Sequence, residues 1–341
     1  MLTSSVAHSA KNTDPRLLSP FDLVWDGCSI WVTSRGSSEV IQYSGCGERL
    51  GALSVPTPTG ICIAKTDKHK CSKKRPRAIY VASSGGSVYT LGNMIATPGN
   101  VVPQYAPNVP QYIANVPQNN ASMIPGAANM AQPPVNMMLP NMISPGMIQP
   151  PGMIPSHMLQ AYISPGGMLA GLAWHKGKLY VAIHDAGYVG VYSGTTPVLS
   201  IKDDALVAVG YKPYGIKCLK GLLYITYTNM STRQGAGYVN VYDPDCNGKM
   251  LRVISRSNLS IPYGLFMNDD EQLYVANSGS GYISVFSRKN EHHYQYLYNV
   301  RNSSEGDVVL DGIMGVTGKE KRYFVMSSDS GRIGALGVIT L

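Results

Sequence analysis

The chain has 341 residues, only 14% of them charged, and a formal net charge of +8. Seven Lys and Arg residues lie within positions 65–77, whereas positions 78–175 contain no Asp, Glu, Lys or Arg. No run of residues approaches the ~20 apolar positions of a membrane helix, and positions 1–15 lack the apolar stretch of a signal peptide. The composition therefore argues against a membrane-anchored or simply secreted protein and leaves the compartment open.

A strand pattern repeats along the chain. The half-motif Pro-x-Gly-[Leu/Ile] occurs at positions 58–61, 213–216 and 262–265, with looser forms at 20–23, 169–172 and 313–316. A second strand pattern follows each copy, at positions 30–32, 79–81, 179–181, 223–225, 273–275 and 323–325. A polar turn then leads to a third, at positions 40–43, 87–91, 188–192, 238–242, 282–286 and 332–336. Most copies continue into a fourth, less regular strand.

Units of four short strands with Gly-rich turns are typical of propeller blades, in which each blade covers the apolar face of its neighbour. We therefore predict an all-β fold, a six-bladed β-propeller of four-stranded blades, as one domain over residues 1–341. The last unit lacks a fourth strand and residues 2–8 have no blade of their own. The N-terminal segment is therefore predicted to supply that strand and close the ring. An open array or a two-sheet sandwich is the alternative.

Several segments carry a resemblance to a known family. They are Thr13–Pro15, Pro20–Leu23, Pro56–Ile61, Gly235–Asp243, Pro262–Leu265 and Leu310–Gly315. With them the chain resembles a family of NHL-like six-bladed propeller proteins, mostly bacterial, without an established activity. The resemblance covers nearly the whole chain except about 95–160, and it implies the fold rather than a function.

An uncharged insertion occupies residues 94–160. Positions 94–168 hold 10 of the 16 Met and 14 of the 23 Pro residues. Frequent Pro blocks helices and inner strands, and Met side chains adapt to irregular apolar surfaces. We interpret the insertion either as a segment that binds a protein partner or a second copy of the chain, or as a tolerated expansion of a surface loop. It is placed between strands three and four of blade two, with the fourth strand at 159–164.

A basic arm lies in the predicted turn between strands one and two of the same blade. It consists of Lys65, Lys68, Lys70, Lys73, Lys74, Arg75 and Arg77. Such a patch could bind nucleic acid or another polyanion, although it lacks the aromatic residues that stack on bases. A solvated basic hairpin is the alternative. Both turns lie on one face of an up-and-down blade, so the arm and the insertion are expected to emerge together.

The six cysteines can be paired by symmetry about predicted hairpins. Cys28–Cys46 and Cys218–Cys246 flank the turns between strands two and three of two blades, and Cys62–Cys71 flank the remaining loop. Residues opposite each other across a hairpin lie within disulfide reach. Three disulfides predict an extracellular protein or a virion component. Without an evident signal peptide, they would suit either oxidation outside the secretory route, as in a virion of a large cytoplasmic virus, or a secretion signal that the start of this sequence lacks. Six thiols in a reducing cytosol are the alternative.

Polar residues in the predicted turns between strands two and three share one face. They are Arg35, Ser83, His184, Asp185, Asn229, Asn277 and Asp329. His184 and Asp185 could act as a base or a pair of metal ligands, and Asp22 and Asp311 could face the channel. A calcium-dependent lactonase propeller needs several converging oxygen ligands. The remaining inner-strand starts offer few carboxylates, so we predict no metal, no cofactor and local turn roles for these residues.

The sequence thus favours a non-catalytic binding or structural scaffold that makes protein–protein contacts, in one version as a component of a virion-like assembly. A calcium-dependent lactonase or hydrolase with a channel site is one alternative. Polyanion or nucleic-acid binding through residues 65–77 is the other.

Overall fold

The structure is a computed structural model, and it describes residues 3–4, 10–64, 78–91, 161–231, 237–246, 250–255, 258–290, 293–301, 306–319, 322–329 and 333–340. The first strands of the chain are β1 (Thr3–Ser4), β2 (Asn12–Thr13), β3 (Pro20–Trp25), β4 (Ser29–Ser34), β5 (Glu39–Ser44), β6 (Arg49–Ser54), β7 (Pro58–Ala64), β8 (Ala78–Ser83), β9 (Val88–Thr90) and β10 (Ala161–Ile163). The middle elements are β11 (Leu169–His175), β12 (Lys178–Ile183), β13 (Tyr188–Ser193), β14 (Thr196–Ile201), helix α1 (Asp204–Ala208), β15 (Lys212–Leu219), β16 (Leu222–Thr228), β17 (Tyr238–Tyr242) and β18 (Leu251–Ser255). The last strands are β19 (Pro262–Met267), β20 (Leu273–Asn277), β21 (Ile283–Asn290), β22 (His293–Asn299), β23 (Ile313–Lys319), β24 (Arg322–Asp329) and β25 (Ile333–Thr340).

The chain is an all-β propeller with four-stranded blades. Five sheets have four antiparallel strands in chain order, namely β3–β6, β7–β10, β11–β14, β15–β18 and β19–β22. The structure therefore has five four-stranded blades, where the sequence predicted six. The remaining sheet has five strands in the order β2-β1-β25-β24-β23.

Two of these five strands, β1 and β2, come from the N-terminal segment. Strand β1 pairs antiparallel with β25 through Thr3↔Leu336 and Ser4↔Ala335, and parallel with β2 through Thr3↔Asn12. The sequence predicted one added strand, but two were added. Each has only two residues, which is too short for an alternating apolar pattern to be visible.

The first strands of the sheets lie around a central channel. Strands β3, β7, β11, β15, β19 and β23 contact one another in this order, and β23 contacts β3. Each of these strands has a register shift typical of a β-bulge at the Pro-x-Gly-[Leu/Ile] position. Five of them carry a glycine there, at Gly60, Gly171, Gly215, Gly264 and Gly315. A Cβ built on Gly215 would lie 2.0 Å from the Tyr263 carbonyl oxygen, so neighbouring first strands approach too closely for a side chain.

The apolar core lies between neighbouring sheets. Between β7–β10 and β11–β14, for example, Tyr80 stacks on Trp174 with ring centroids 5.3 Å apart, and Ala82 and Leu172 are fully buried in the same cluster. A blade alone would leave this face in water, so burial between blades stabilises the whole ring.

The insertion follows β9 and precedes β10 in the chain. These two strands pair through Tyr89↔Ala161, and β10 falls within the fourth strand expected at 159–164. Residues 92–160 lie outside the described residues. Among the described helices, none is long and apolar enough to cross a membrane.

Candidate functional site

Aromatic side chains fill the channel at the level of the bulges. Phe21 of β3 lies 5.8 Å from Tyr214 of β15 and 5.0 Å from Tyr263 of β19, measured between ring centroids. The two tyrosines are 4.8 Å apart, and all three pairs meet edge to face. The Tyr263 hydroxyl donates to the Ala170 carbonyl at 3.5 Å. Because each ring is at least nine-tenths buried, the channel is packed at this level.

One step further along the first strands, a salt bridge crosses the channel. The Lys217 ammonium of β15 donates to Asp22 Oδ1 at 3.1 Å and Oδ2 at 2.9 Å, and to the Ile61 carbonyl at 3.3 Å. The side chain of Asp22 is 2% exposed and that of Lys217 is 18% exposed. The bridge thus joins three first strands that the chain places far apart.

The Asp22 carboxylate is also held by backbone donors. The amide of Leu23 donates to Oδ1 at 2.8 Å and the amide of Ile61 donates to Oδ2 at 3.0 Å. With a full counter-charge and two N–H groups, both oxygens are satisfied. Asp22 is therefore a structural anion rather than a carboxylate free to bind a cation.

Both partners of the bridge depart from the repeat. Asp22 stands at the bulge position where the other five units have glycine. Lys217 stands where the other units have Val24, Cys62, Ala173, Phe266 and Thr317. The sequence analysis named Asp22 but not Lys217. Lys217 is the one charged residue at this position of the six aligned repeats, and that difference could have indicated it.

His184 lies at the channel mouth and is nine-tenths buried. Its ring centroid is 5.3 Å from that of Tyr214, and its Nδ1 is 3.0 Å from the Pro213 carbonyl oxygen. Burial is the main cause that lowers the pKa of His184 below its ordinary value of 6.5, opposed by the hydrogen bond to Pro213. Asp185 is exposed and accepts the Met168 amide at 2.9 Å, so it caps a turn rather than pairing with His184.

The folded state should lose stability in mild acid through His184. Its lowered pKa means that the unfolded chain takes up the proton first, so this stability is present above pH ~6.5 and is lost as the pH falls from there through the lowered pKa of the folded state. We expect the free energy of unfolding to drop more between pH ~7.5 and ~5.5 in the native chain than in His184→Gln, measured by urea denaturation. Equal drops in the two proteins would show that His184 does not contribute.

Three of the other residues of the predicted face accept hydrogen bonds from backbone amides. Asn277 is fully buried and accepts the Ser260 amide at 3.0 Å, and the Ser83 hydroxyl accepts the Gly85 amide at 3.1 Å. Asn229 accepts the Ser231 amide at 3.0 Å, and Arg35 is exposed. The contacts of Ser83 and Asn229 are local to their turns, whereas Asn277 joins its turn to the segment before β19.

Two acidic residues complete the comparison with the sequence. Asp329 ends β24, where its backbone pairs with Ile333. Asp311 is exposed in the turn before β23. Among the described His, Cys, Asp and Glu residues, no group of three or more could hold a metal ion.

The predicted disulfides are not found among the five cysteines in the described ranges. Cys28 and Cys46 are exposed and lie beyond the last ladder pair, Ser29↔Ser44. In this register the position opposite Cys28 is 45. Both cysteines are held in separate turns, where Asp26 accepts the Cys28 amide and Ser44 Oγ accepts the Cys46 amide.

The pair Cys218–Cys246 was predicted from a wrong strand assignment. Cys218 lies on β15, opposite Leu223, whereas Cys246 follows β17. Strand β16 lies between them, so their backbones are separated by two strand spacings, about 10 Å. This exceeds the ~7 Å limit between the Cα atoms of a disulfide. Burial raises the pKa of Cys62 to about 12, and its predicted partner Cys71 lies outside the described residues.

Two of the predicted binding segments fall outside the described residues. They are the basic arm, with Lys65, Lys68, Lys70, Lys73, Lys74, Arg75 and Arg77, and the insertion 94–160. Both therefore stay predictions.

Comparison with known proteins supports the propeller fold. No protein-family model and no curated protein matches the sequence. A catalytically inactive virginiamycin B lyase from Staphylococcus aureus, solved with quinupristin, is 10% identical, with a TM-score of 0.52 over 98% of this chain and 87% of the other. A streptogramin B lyase is 11% identical, with a TM-score of 0.50 over 94% of each chain. A chain of a nidogen–laminin complex is 14% identical, with a TM-score of 0.51 over 85% of this chain and 82% of the other.

These similarities span enzymes and a protein complex. At such identities they establish a shared fold and leave the activity of this chain open.

Proposed function

We propose that this protein is a binding and structural module of the NHL-like propeller type, whose contacts with a protein partner or a second copy of the chain are made through residues 94–160. The observation that carries this proposal is the filled channel. Phe21, Tyr214 and Tyr263 occupy one level and the Asp22–Lys217 bridge the next. A packed channel supports a rigid platform with its binding segments at the periphery.

The order of the strands indicates that both binding segments leave the same end of the sheet β7–β10. The basic arm follows β7 and precedes β8, with Ala64 paired to Ala78. The insertion connects β9 to β10, and Tyr89 pairs with Ala161. Because successive strands are antiparallel, both connections leave the same end of this sheet. We infer that the basic arm adds attraction for an acidic or polyanionic surface beside the insertion.

We further propose that the five-stranded sheet serves as a sixth blade, closed by β1. The contacts of the following segment support this. The Asp14 amide donates to the Ser4 carbonyl at 2.8 Å, and its buried carboxylate accepts the Tyr43 hydroxyl of the first blade at 3.0 Å. The N-terminal segment would thus fasten the last sheet to the first.

A channel enzyme is less well supported, although the similar solved structures include lyases. A calcium-dependent lactonase would need Asp22 and further oxygen ligands around one point. Asp22 is instead held by the Lys217 ammonium at 2.9 Å and by two amides. A cation at this position would meet a positive charge, so we do not propose the calcium-dependent lactonase.

The test is a deletion of residues 94–160 with a short Gly-Ser linker between the strands that flank it. We expect the native chain to self-associate at micromolar concentration and the deletion variant to sediment as a monomer, because the uncharged Met-rich segment supplies the apolar contact. Sedimentation velocity over a concentration series measures this.

The matched control replaces the seven basic residues of the arm with Gln and retains the insertion. It should self-associate like the native chain if residues 94–160 make the contact. If the control lost association and the deletion variant kept it, we would conclude that the basic arm makes the contact. A monomeric native chain would overturn self-association.

A further inference from the structure

Three side chains from two neighbouring blades form a chain of contacts at the end of the sheets opposite His184. His175 ends β11, Cys218 lies near the end of β15, and Asp245 follows β17. The Cys218 Sγ is 3.3 Å from His175 Nδ1, and His175 Nε2 is 3.0 Å from Asp245 Oδ1. A thiol, an imidazole and a carboxylate therefore lie in the order used by nucleophilic enzymes.

The Asp245 carboxylate is held in place by hydrogen bonds and is ionised. Its second oxygen, Oδ2, accepts from the Lys176 ammonium at 2.6 Å, and the Asp245 amide donates to Asp243 Oδ1 at 2.9 Å. The hydrogen bonds from Lys176 and His175 lower the pKa of Asp245 below its ordinary value. An ionised Asp245 favours the tautomer in which His175 Nε2–H donates to it, which leaves Nδ1 to accept the thiol proton.

The surroundings of the thiol suit a site with limited access to water. The side chain of His175 is 12% exposed and Cys218 is partly buried. Tyr180 of β12 is buried, and burial, with smaller effects of Tyr242, Cys218 and Asp245, raises its pKa to about 12. The Tyr180 phenol therefore stays protonated. It is a neutral group close enough to Cys218 for the two to interact electrostatically.

We propose that Cys218 is the nucleophile of an acyl-transfer site that accepts acyl groups from activated esters or thioesters, with His175 as general base and Asp245 as the residue that orients it. Cys218 Sγ bonds to the acyl carbon while its proton passes to His175 Nδ1. The bond from that carbon to the leaving oxygen or sulfur breaks, and the leaving group takes the proton from His175. Water, deprotonated by the same nitrogen, then cleaves the thioester and releases the carboxylic acid and the Cys218 thiol.

Other cysteines in the described residues provide internal references. Cys28, Cys46 and Cys246 are all exposed. The hydrogen bond and the charge of Asp243 raise the pKa of Cys246, so an exposed thiol next to Asp245 is made less nucleophilic. If exposure alone governed reactivity, these three would react before Cys218.

The test uses the full-length protein and p-nitrophenyl acetate at pH ~7, with peptide mass spectrometry to locate the acetyl group. We expect Cys218 to be acetylated at least about tenfold faster than Cys28, Cys46 or Cys246, with a matching release of p-nitrophenolate. Cys218→Ser should reduce this release to the slow background of the exposed cysteines, and Cys246→Ser should leave the fast release unchanged. His175→Asn should slow the acetylation of Cys218 by about 100-fold or more, since it removes the general base.

Circular dichroism shows whether His175→Asn folds. If it does not, Asp245→Asn is the second variant, because Asp245 is exposed and its substitution disturbs packing less. It should slow acetylation of Cys218 without changing that of Cys28. Acetylation of Cys218 no faster than that of the exposed cysteines would overturn the proposal. The proposal would also be overturned if Cys218 were acetylated at the native rate in folded His175→Asn and Asp245→Asn. The contacts among Cys218, His175 and Asp245 would then serve packing alone.

Discussion

Replacing Lys217 with Met should lower the free energy of unfolding by about 3–5 kcal/mol, the cost of breaking a buried ion pair by removing one partner. The Lys217 ammonium lies 2.9 Å from Asp22 Oδ2, and the Asp22 side chain is 2% exposed. Met retains most of the volume of the Lys side chain, so the change tests charge rather than packing. Urea denaturation measures the free energy, and an unchanged m-value would show that the unfolded reference is the same.

Two controls separate the charge from other effects. In Asp22→Asn/Lys217→Met both charges are absent while the Asn carbonyl can still accept one amide, so we expect much of the lost stability to return. Lys202→Met breaks the exposed bridge between Lys202 and Asp204, 2.8 Å long, and should cost less than about 1 kcal/mol. If Lys217→Met cost no more than Lys202→Met, the bridge across the channel would not be important for stability.

The propeller fold was predictable because its signal is local and repeated. Each Pro-x-Gly-[Leu/Ile] copy coincides with a first strand and its bulge, as at Pro213–Ile216 on β15. The number of four-stranded blades was not predictable from the same pattern. The N-terminal strands β1 and β2 have two residues each, and tertiary pairing with β25 rather than local sequence determines them.

The channel site was predictable in part. Asp22 was expected near the channel, and it lies there. Its partner Lys217 is 195 residues away in the chain, and no local spacing links the two. The first strands lie around the channel, and this arrangement brings β3 and β15 together. Only an alignment of the repeats, with a charged residue at a position otherwise occupied by uncharged ones, could have indicated Lys217.

The pairs Cys28–Cys46 and Cys218–Cys246 were predicted wrongly because symmetry about a turn requires the correct register and strand. At Cys28 and Cys46 the observed ladder is offset by one residue. For Cys218 the assignment was off by one strand, and the residue contacts His175 of the next blade instead. Contacts between blades have no signature in the spacing along the chain, so sequence reasoning missed His175, Cys218 and Asp245 as a group.

The glycine at the bulge should be as intolerant of substitution as any position in the chain. A Cβ on Gly215 would lie 2.0 Å from the Tyr263 carbonyl oxygen and 2.8 Å from its carbonyl carbon. Both atoms belong to the backbone of the neighbouring first strand, so no rotamer change relieves the overlap. Gly215→Ala should therefore lower the free energy of unfolding by about 3 kcal/mol, because the blades must move apart.

Gly51→Ala is the matched control, since Gly51 lies on β6 and a Cβ there meets no atom within 4 Å. It should leave stability unchanged or raise it by roughly 0.5 kcal/mol, because Ala loses less backbone entropy on folding. Urea denaturation of both variants measures the difference. A similar, small effect at both positions would mean that neighbouring first strands are not closely packed at the bulge, and that the repeated glycine serves the turn geometry alone.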